Sequence, residues 1–292
     1  HYLDRLEGKK ATFKDGHTQD ADAIIAFQES GVMVPLVTTA TAPQGAGTVS
    51  FPYYTDPASS NVGSGTDGSD YTSTTTRTIS KAQATIAEYI VRSDVTDLAV
   101  QSSPQNLTSD VGNIIGHELA LKADDLLVSL FSGFSQTESA AGTAMTLAHV
   151  FGASRQLHAA GAPMPYNMVL SPKSVWGAKG LLQLLINTNS GSQMADNPTS
   201  QEALANGFVG RVAGVDTYWS AEIDENVSSG GDAANGVFSK GAMGMGFGSG
   251  GPITVEEQRD ASARSTEYVG VLNAAAIEIK DTFGVYMLVD VS

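Results

Sequence analysis

From Asp15 to Thr76 the chain carries no lysine or arginine, and within that run residues Ala40 to Thr76 are crowded with Ser, Thr, Gly, Asp and Pro. A compact domain rarely holds so long a weakly hydrophobic segment, because it buries too little to offset its ordering entropy. The segment is therefore either disordered or ordered by something outside the subunit. Its two ends favour the second reading. Val49, Phe51 and Tyr53 alternate with Thr48, Ser50 and Pro52, the period of a half-buried strand. Tyr71 to Val91 is dense in Thr and other β-branched residues, again a strand composition. Between them lies the Gly/Ser-rich stretch Ser59 to Ser69. The pattern predicts a long protruding hairpin with a soft tip.

The remainder has the means to fold on itself. Residues His1 to Asp22 are polar and read as an extended arm carrying Arg5, Lys9, Lys10 and Lys14. Leu107, Val111, Ile114, Ile115, Leu119, Leu126, Leu127 and Leu130 recur at helical spacing and predict a long helix with one apolar side, stopped by Gly133. Alternating helix and strand follow. A helix spans Thr146 to Ala160, and Asn167 to Leu170 form a buried strand. Ser171-Pro172 opens a helix running towards Leu185, the serine as cap and the proline at the first position. Two loops, Asn187 to Thr199 and Asp224 to Asn235, flank a strand region at Val212 to Trp219, and the end is β-rich at Ile253 to Gln258, Thr266 to Lys280 and Thr282 to Val291.

Charge and composition narrow the function classes. Sixteen basic residues face 31 acidic ones, a formal charge of −15, which argues against a broad nucleic-acid-binding surface. Without cysteine the chain has no disulfides, thiolate metal sites or thiol nucleophiles. No apolar run approaches the roughly 18 to 20 residues of a membrane-spanning helix. The absence of an initiator Met before His1 is read as removal or omission of an N-terminal piece.

Literal motif matches lack their context. His117-Glu118 begins like a zinc-protease motif, but Leu121 stands where its second histidine belongs, so an exposed polar pair is the expectation. Gly246, Gly248 and Gly251 match G-x-G-x-x-G, yet Pro252 and a strand follow instead of a helix, which makes them a connector. Glu222, Asp224 and Glu225 lack calcium-loop spacing and read as a solvated turn, while Met243 and Met245 read as core filling. No catalytic, cofactor or metal site is expected.

The order of elements resembles the major capsid proteins of tailed phages, an α+β class known as the Hong Kong 97-type fold. Gly45 to Val91, with Thr-Val-Ser-Phe-Pro-Tyr-Tyr entering and Ala-Thr-Ile-Ala-Glu-Tyr-Ile-Val leaving, is similar to that family's extended loop. Ser103 to Phe131, centred on Asn-Ile-Ile-Gly-His-Glu-Leu-Ala-Leu-Lys-Ala-Asp, resembles its spine helix, and Tyr-Asn-Met-Val-Leu-Ser-Pro-Lys at Tyr166 to Lys173 resembles the strand-to-helix step of its axial domain. The resemblance implies an N-terminal arm at 1–35, an extended β-hairpin loop at 36–85, a peripheral domain at 86–140 and 251–292 with a spine helix at about 106–131, and an axial domain at 141–250.

It also implies a structural function: a non-enzymatic shell of pentamers and hexamers around a double-stranded DNA genome, assembled in the host cytoplasm and lodged in the virion. Implied partners are the chain itself, portal and scaffold proteins, decoration or cement proteins, and loosely held DNA, with no membrane and no cofactor. Val49, Phe51, Tyr53 and Tyr54 are the expected inter-subunit contacts of the loop, and Arg5, Lys9, Lys10 and Lys14 the expected DNA-facing charges of the arm. An encapsulin-like bacterial compartment shell is the alternative; a secreted acidic hydrolase or a surface-layer protein is the weaker one.

Overall fold

A computed structural model of the protein describes residues 31–54, 62–70, 78–102, 107–138, 141–181, 210–227 and 230–292. Two sheets organise it. The first contains β4 (Ala87–Thr96), β12 (Ser265–Glu278), β11 (Ile253–Asp260), β10 (Met243–Phe247) and β1 (Thr38–Thr41). Its axis is β12, which is long enough to pair antiparallel with β4 along one edge and with β11 and then β10 along the other. β1 adds parallel to β10.

Helix α2 (Leu107–Val128) packs across β12 and β4, while the short α1 (Asp97–Ser102) leads into it from the end of β4. Alternation along β4 turns Tyr89, Val91, Ser93 and Val95 inward and Glu88, Arg92 and Asp94 outward. Ile115, Leu119, Ala120, Ala123 and Leu127 of α2 meet Tyr268 and Leu272 of β12 in the larger core, where Met243 and Met245 are also fully buried.

The helix approaches this closely because β12 has a glycine beneath it. A Cβ at Gly270 would run into Ile115 Cγ2, with Leu119 Cδ1 3.3 Å away. Gly270→Val should therefore push α2 off the sheet and cost about 1–3 kcal/mol, read as a lower denaturation midpoint at unchanged m-value. An unchanged midpoint would show that the helix is not seated there.

The second sheet runs β5 (Gln136–Glu138), β13 (Gly284–Asp290), β9 (Asp232–Ser239), β6 (Tyr166–Leu170), β8 (Val215–Trp219) and β7 (Arg211–Val212). It is covered on both faces, which explains why every residue of β6 is buried. Helix α3 (Leu147–Ala159) lays Val150, Ala153 and Leu157 on one face, against Met168, Val237, Val285 and Met287. On the other face Val169 and Phe238 join the larger core, with the Phe131 and Phe238 rings 5.7 Å apart.

Several sequence expectations change. The long helix ends at Val128, and the chain turns through a single 3-10 turn at Phe131–Gly133; Ile114, assigned to its apolar side, is 55% exposed. The Ser171-Pro172 helix, α4 (Pro172–Trp176), is cut short at Gly177, and residues 182–209, including the Asn187 to Thr199 loop, lie outside the described set. The loop expected to reach Asn235 gives way to β9 at Asp232, because these residues are buried in mid-sheet.

The expected grouping of residues 251–292 also splits. β11 and β12 belong to the first sheet, but β13 crosses to the second; conversely β10, expected with the axial part, lies in the first. Alternation marks a strand as half-buried, but it does not say against which sheet.

Candidate subunit interface

The predicted hairpin forms. β2 (Thr48–Tyr54) and β3 (Ile79–Thr85) pair antiparallel in a separate two-stranded ladder, from Thr48 opposite Thr85 to Tyr54 opposite Ile79. Residues 62–70 are exposed throughout and carry no strand; 55–61 and 71–77, which include part of the expected tip, lie outside the described residues.

The foot of the hairpin has a core of its own, which the sequence reading did not foresee. Val49 is 2% and Phe51 3% exposed, packed with Ala42, Ile277 and Ile279 of the same chain. These two side chains were expected on a neighbour; they are instead consumed internally. The seat is made by β10, in which Met243 and Met245 alternate with Gly244 and Gly246. The methionines enter the main core, and the glycines leave room for the hairpin on the opposite face. A Cβ at Gly244 would lie 2.8 Å from Phe51 Cζ, and one at Gly246 2.8 Å from Val49 Cγ2. The Met-Gly-Met-Gly-Phe alternation was the available signal: glycine at period two marks close backbone approach as readily as a connector.

Farther out, support from the subunit ends. Tyr53 is half-buried, Tyr54 is 65% exposed and its cross-strand partner Ile79 59%. The result is an anchored foot with an apolar pair displayed at the outer end of the described ladder. Directly opposed apolar residues stabilise a strand pair, but water-facing ones invite another surface.

The chain entering β1 is held by one carboxylate. Asp124, 2% exposed on α2, accepts the Val32 N–H on Oδ2 at 2.9 Å and the Met33 N–H on Oδ1 at 3.0 Å. Burial pushes its carboxyl up to about 6, and the charge of Glu222 pushes the same way, against the two N–H donors. The arm residues Arg5, Lys9, Lys10 and Lys14 fall outside the described residues.

The motif matches acquire ordinary placements. His117 and Glu118 are exposed on α2. Gly246 lies in β10, and Gly248 and Gly251 sit in the turn before β11. The acidic group disperses: Glu225 accepts the Lys173 N–H at 3.0 Å and pairs with Lys173 Nζ, while Asp224 accepts the Asn226 N–H. Among the described residues no three metal-ligating side chains come together, and no helix is long and apolar enough to cross a membrane.

No protein-family model matches the chain, and no curated protein matches its sequence. Solved structures do match its shape. The capsid of the cyanophage P-SCSP1u superposes with a TM-score of 0.64 at 16% identity, covering 88% of this chain and 87% of that one. The capsid of Ralstonia phage GP4 gives 0.62 at 11% identity over 87% of each. A virus-like particle from Pyrococcus furiosus gives 0.59 at 9% identity, covering 91% of this chain and 96% of the other. The mixed α+β architecture is thus the capsid fold, shared over nearly the full length of those chains.

Proposed function

We propose that this chain is the major capsid protein of a tailed phage, assembling with itself into pentamers and hexamers that close around double-stranded DNA. What carries the reading is the capsid fold spanning most of the chain, combined with a hairpin rooted in its own subunit and apolar at its outer end. A heterologous contact between identical subunits, repeated by rotation, makes rings and then a closed sphere. Of the four loop contacts expected from the sequence, Tyr53 and Tyr54 remain to serve it, with Ile79 beside Tyr54. In this reading residues 1–35 act as the arm, 36–85 as the extended loop, and the α2 and second-sheet regions as the peripheral and axial parts, with β10 and β13 exchanged between them. The role is structural and the place is the virion shell, after assembly in the host cytoplasm with portal, scaffold and decoration or cement proteins as partners.

Electron microscopy of the purified full-length protein tests this directly. Rings and closed particles are expected; a concentration-independent monomer at all salt and pH values would overturn it. A compartment shell that encloses protein cargo is the second reading, favoured by the likeness to the Pyrococcus furiosus virus-like particle. Particles isolated from the native source separate the two: DNA inside supports the phage reading, protein cargo without nucleic acid the other.

The acidic chain should hold its genome loosely, with phosphate contacts confined to Arg5, Lys9, Lys10 and Lys14 of the arm. Replacing all four with Gln should leave assembly intact and flatten the log–log salt dependence of DNA retention by roughly three to four units, since each neutralised phosphate contributes about 0.9. An unchanged slope would place the arm away from DNA.

A further inference from the structure

Four places in the chain set Asp or Asn directly before glycine: Asp15–Gly16, Asp67–Gly68, Asn206–Gly207 and Asn235–Gly236. Such a pair can react with itself, because a glycine without Cβ lets its backbone nitrogen approach the preceding side-chain carbonyl carbon. Two of the four, Asp67–Gly68 and Asn235–Gly236, lie among the described residues, and the fold treats them oppositely.

Asn235–Gly236 carries the better leaving group, ammonia, so the sequence alone ranks it above Asp67–Gly68. The fold locks it. Asn235 is fully buried in β9, where its Oδ1 accepts the Ser171 N–H at 2.8 Å. Its Nδ2 donates to Ser174 Oγ at 3.0 Å and to the Ala233 carbonyl at 3.3 Å. Gly236 stands opposite Tyr286 of β13 on one side and Val169 of β6 on the other, and a Cβ there would lie 2.8 Å from Phe131 Cδ1. Turning the amide onto the Gly236 nitrogen would break all three hydrogen bonds in a place with no room for a ring. Buried, satisfied polar networks of this kind fix geometry.

Asp67–Gly68 has none of this protection. Both residues are exposed, in a turn closed by the Ser69 N–H donating to the Thr66 carbonyl at 3.2 Å. The turn's hydrogen bond is thus made by Ser69, which leaves the Gly68 nitrogen uncommitted to it. Gly68 has φ +76°, the left-handed conformation that glycine adopts without strain, and no atom lies within 4 Å of where its Cβ would be. Among the described residues no hydrogen bond or ion pair holds the Asp67 carboxyl away from that nitrogen.

We infer that Asp67–Gly68 is a site of spontaneous backbone isomerisation, converting Asp67 to isoaspartate while the fold keeps Asn235–Gly236 intact. The Gly68 nitrogen attacks Asp67 Cγ: a C–N bond forms, the Cγ–OH bond breaks, and the hydroxyl leaves with the amide proton as one water. Water then opens the five-membered ring. Addition at Cγ restores aspartate. Addition at the Asp67 main-chain carbonyl carbon breaks its bond to the Gly68 nitrogen, frees that carbon as a carboxylate and routes the main chain through Cβ and Cγ. The turn gains one methylene in its backbone, and the charge of the chain is unchanged. The inference does not depend on the shell reading.

The test compares the folded full-length protein with the same protein in denaturing urea, both held at neutral pH and physiological temperature. Peptide mapping with fragmentation that separates isoaspartate from aspartate gives the rates. Residue 67 should convert in both states at rates within about threefold of each other, since an exposed turn needs almost no opening. Asn235 should convert in urea and be slower by roughly a thousandfold or more in the folded protein, because a core strand opens only at a cost close to that of global unfolding. Asp67→Glu, which would have to close a larger ring, should remove the signal at this position and leave the fold unchanged. Aspartate retained at residue 67 in the folded protein would overturn the inference, whether or not urea releases the reaction. Equal conversion of Asn235 in both states would overturn the protection assigned to β9. Particle formation, which tests the shell reading, is scored separately and bears on neither result.

Discussion

Replacing residues 55–78 with an Asn-Gly turn should abolish particle formation while leaving a folded subunit of nearly unchanged stability. Tyr54 and Ile79 are the outermost described pair of the hairpin, so a two-residue type I′ turn can join the strands there without disturbing the ladder. The foot is unaffected, since Val49 and Phe51 stay packed with Ala42, Ile277 and Ile279 and over Gly244 and Gly246. What is lost is only reach. A stable protein contact buries about 1,200 to 2,000 Å², and a truncated hairpin offers little area beyond its own subunit. Sedimentation velocity should show capsomers or monomers in place of particles, with a denaturation midpoint close to wild type. Particles at wild-type yield would mean that the hairpin is decorative. A collapsed midpoint would mean that its distal part stabilises the subunit.

The second large effect is a pH dependence centred on Asp124. Its folded-state carboxyl titrates near 6, raised by burial and by Glu222, while in the unfolded chain it titrates near the ordinary value of about 4. The folded protein therefore binds this proton more tightly than the unfolded one. The stability it confers is complete below about pH 4 and is lost as pH rises through 6, a swing of about 3 kcal/mol. Glu222 is the charged group acting on it from outside the helix, and Lys122 is occupied by Asp125 at 2.6 Å. Asp124→Asn has no proton to exchange. The difference in unfolding free energy between variant and wild type should move in the variant's favour by about that amount between pH 4 and 7. A pH-independent difference would show that Asp124 stays ionised throughout. In Asp124→Ala the Val32 and Met33 amides lose their acceptor, and their hydrogen exchange should quicken at least tenfold, at roughly 1.4 kcal/mol per decade.

Much of the fold was legible because its signals are local. The helical apolar spacing of Leu107 to Leu127, the Ser171-Pro172 cap, the helix read from Thr146 to Ala160 and the alternation in Val49 to Tyr53 each state a local preference that packing does not reverse. Partner choice was not legible. Val49 and Phe51 announce a strand with an apolar face, but only the facing glycines of β10, nearly two hundred residues later, decide that this face turns inward to its own subunit. Likewise nothing in Gly284 to Asp290 says that it leaves its neighbour β12 to lie between β5 and β9. Asp124 was hidden for the opposite reason: a carboxylate in a helix of alternating polar and apolar residues reads as solvated until its two backbone donors are seen.

The placement of β13 sets an order of events during synthesis. It follows every other described strand in the chain, yet it fills an interior slot of the second sheet, with β5 on one side and β9 on the other. A growing polypeptide folds from its earlier residues onward. Until β13 emerges from the ribosome, β9 presents a bare edge, and Val237 and Leu157 lack the cover of Val285 and Met287. A nascent chain therefore cannot complete its second sheet before its last described strand has been made.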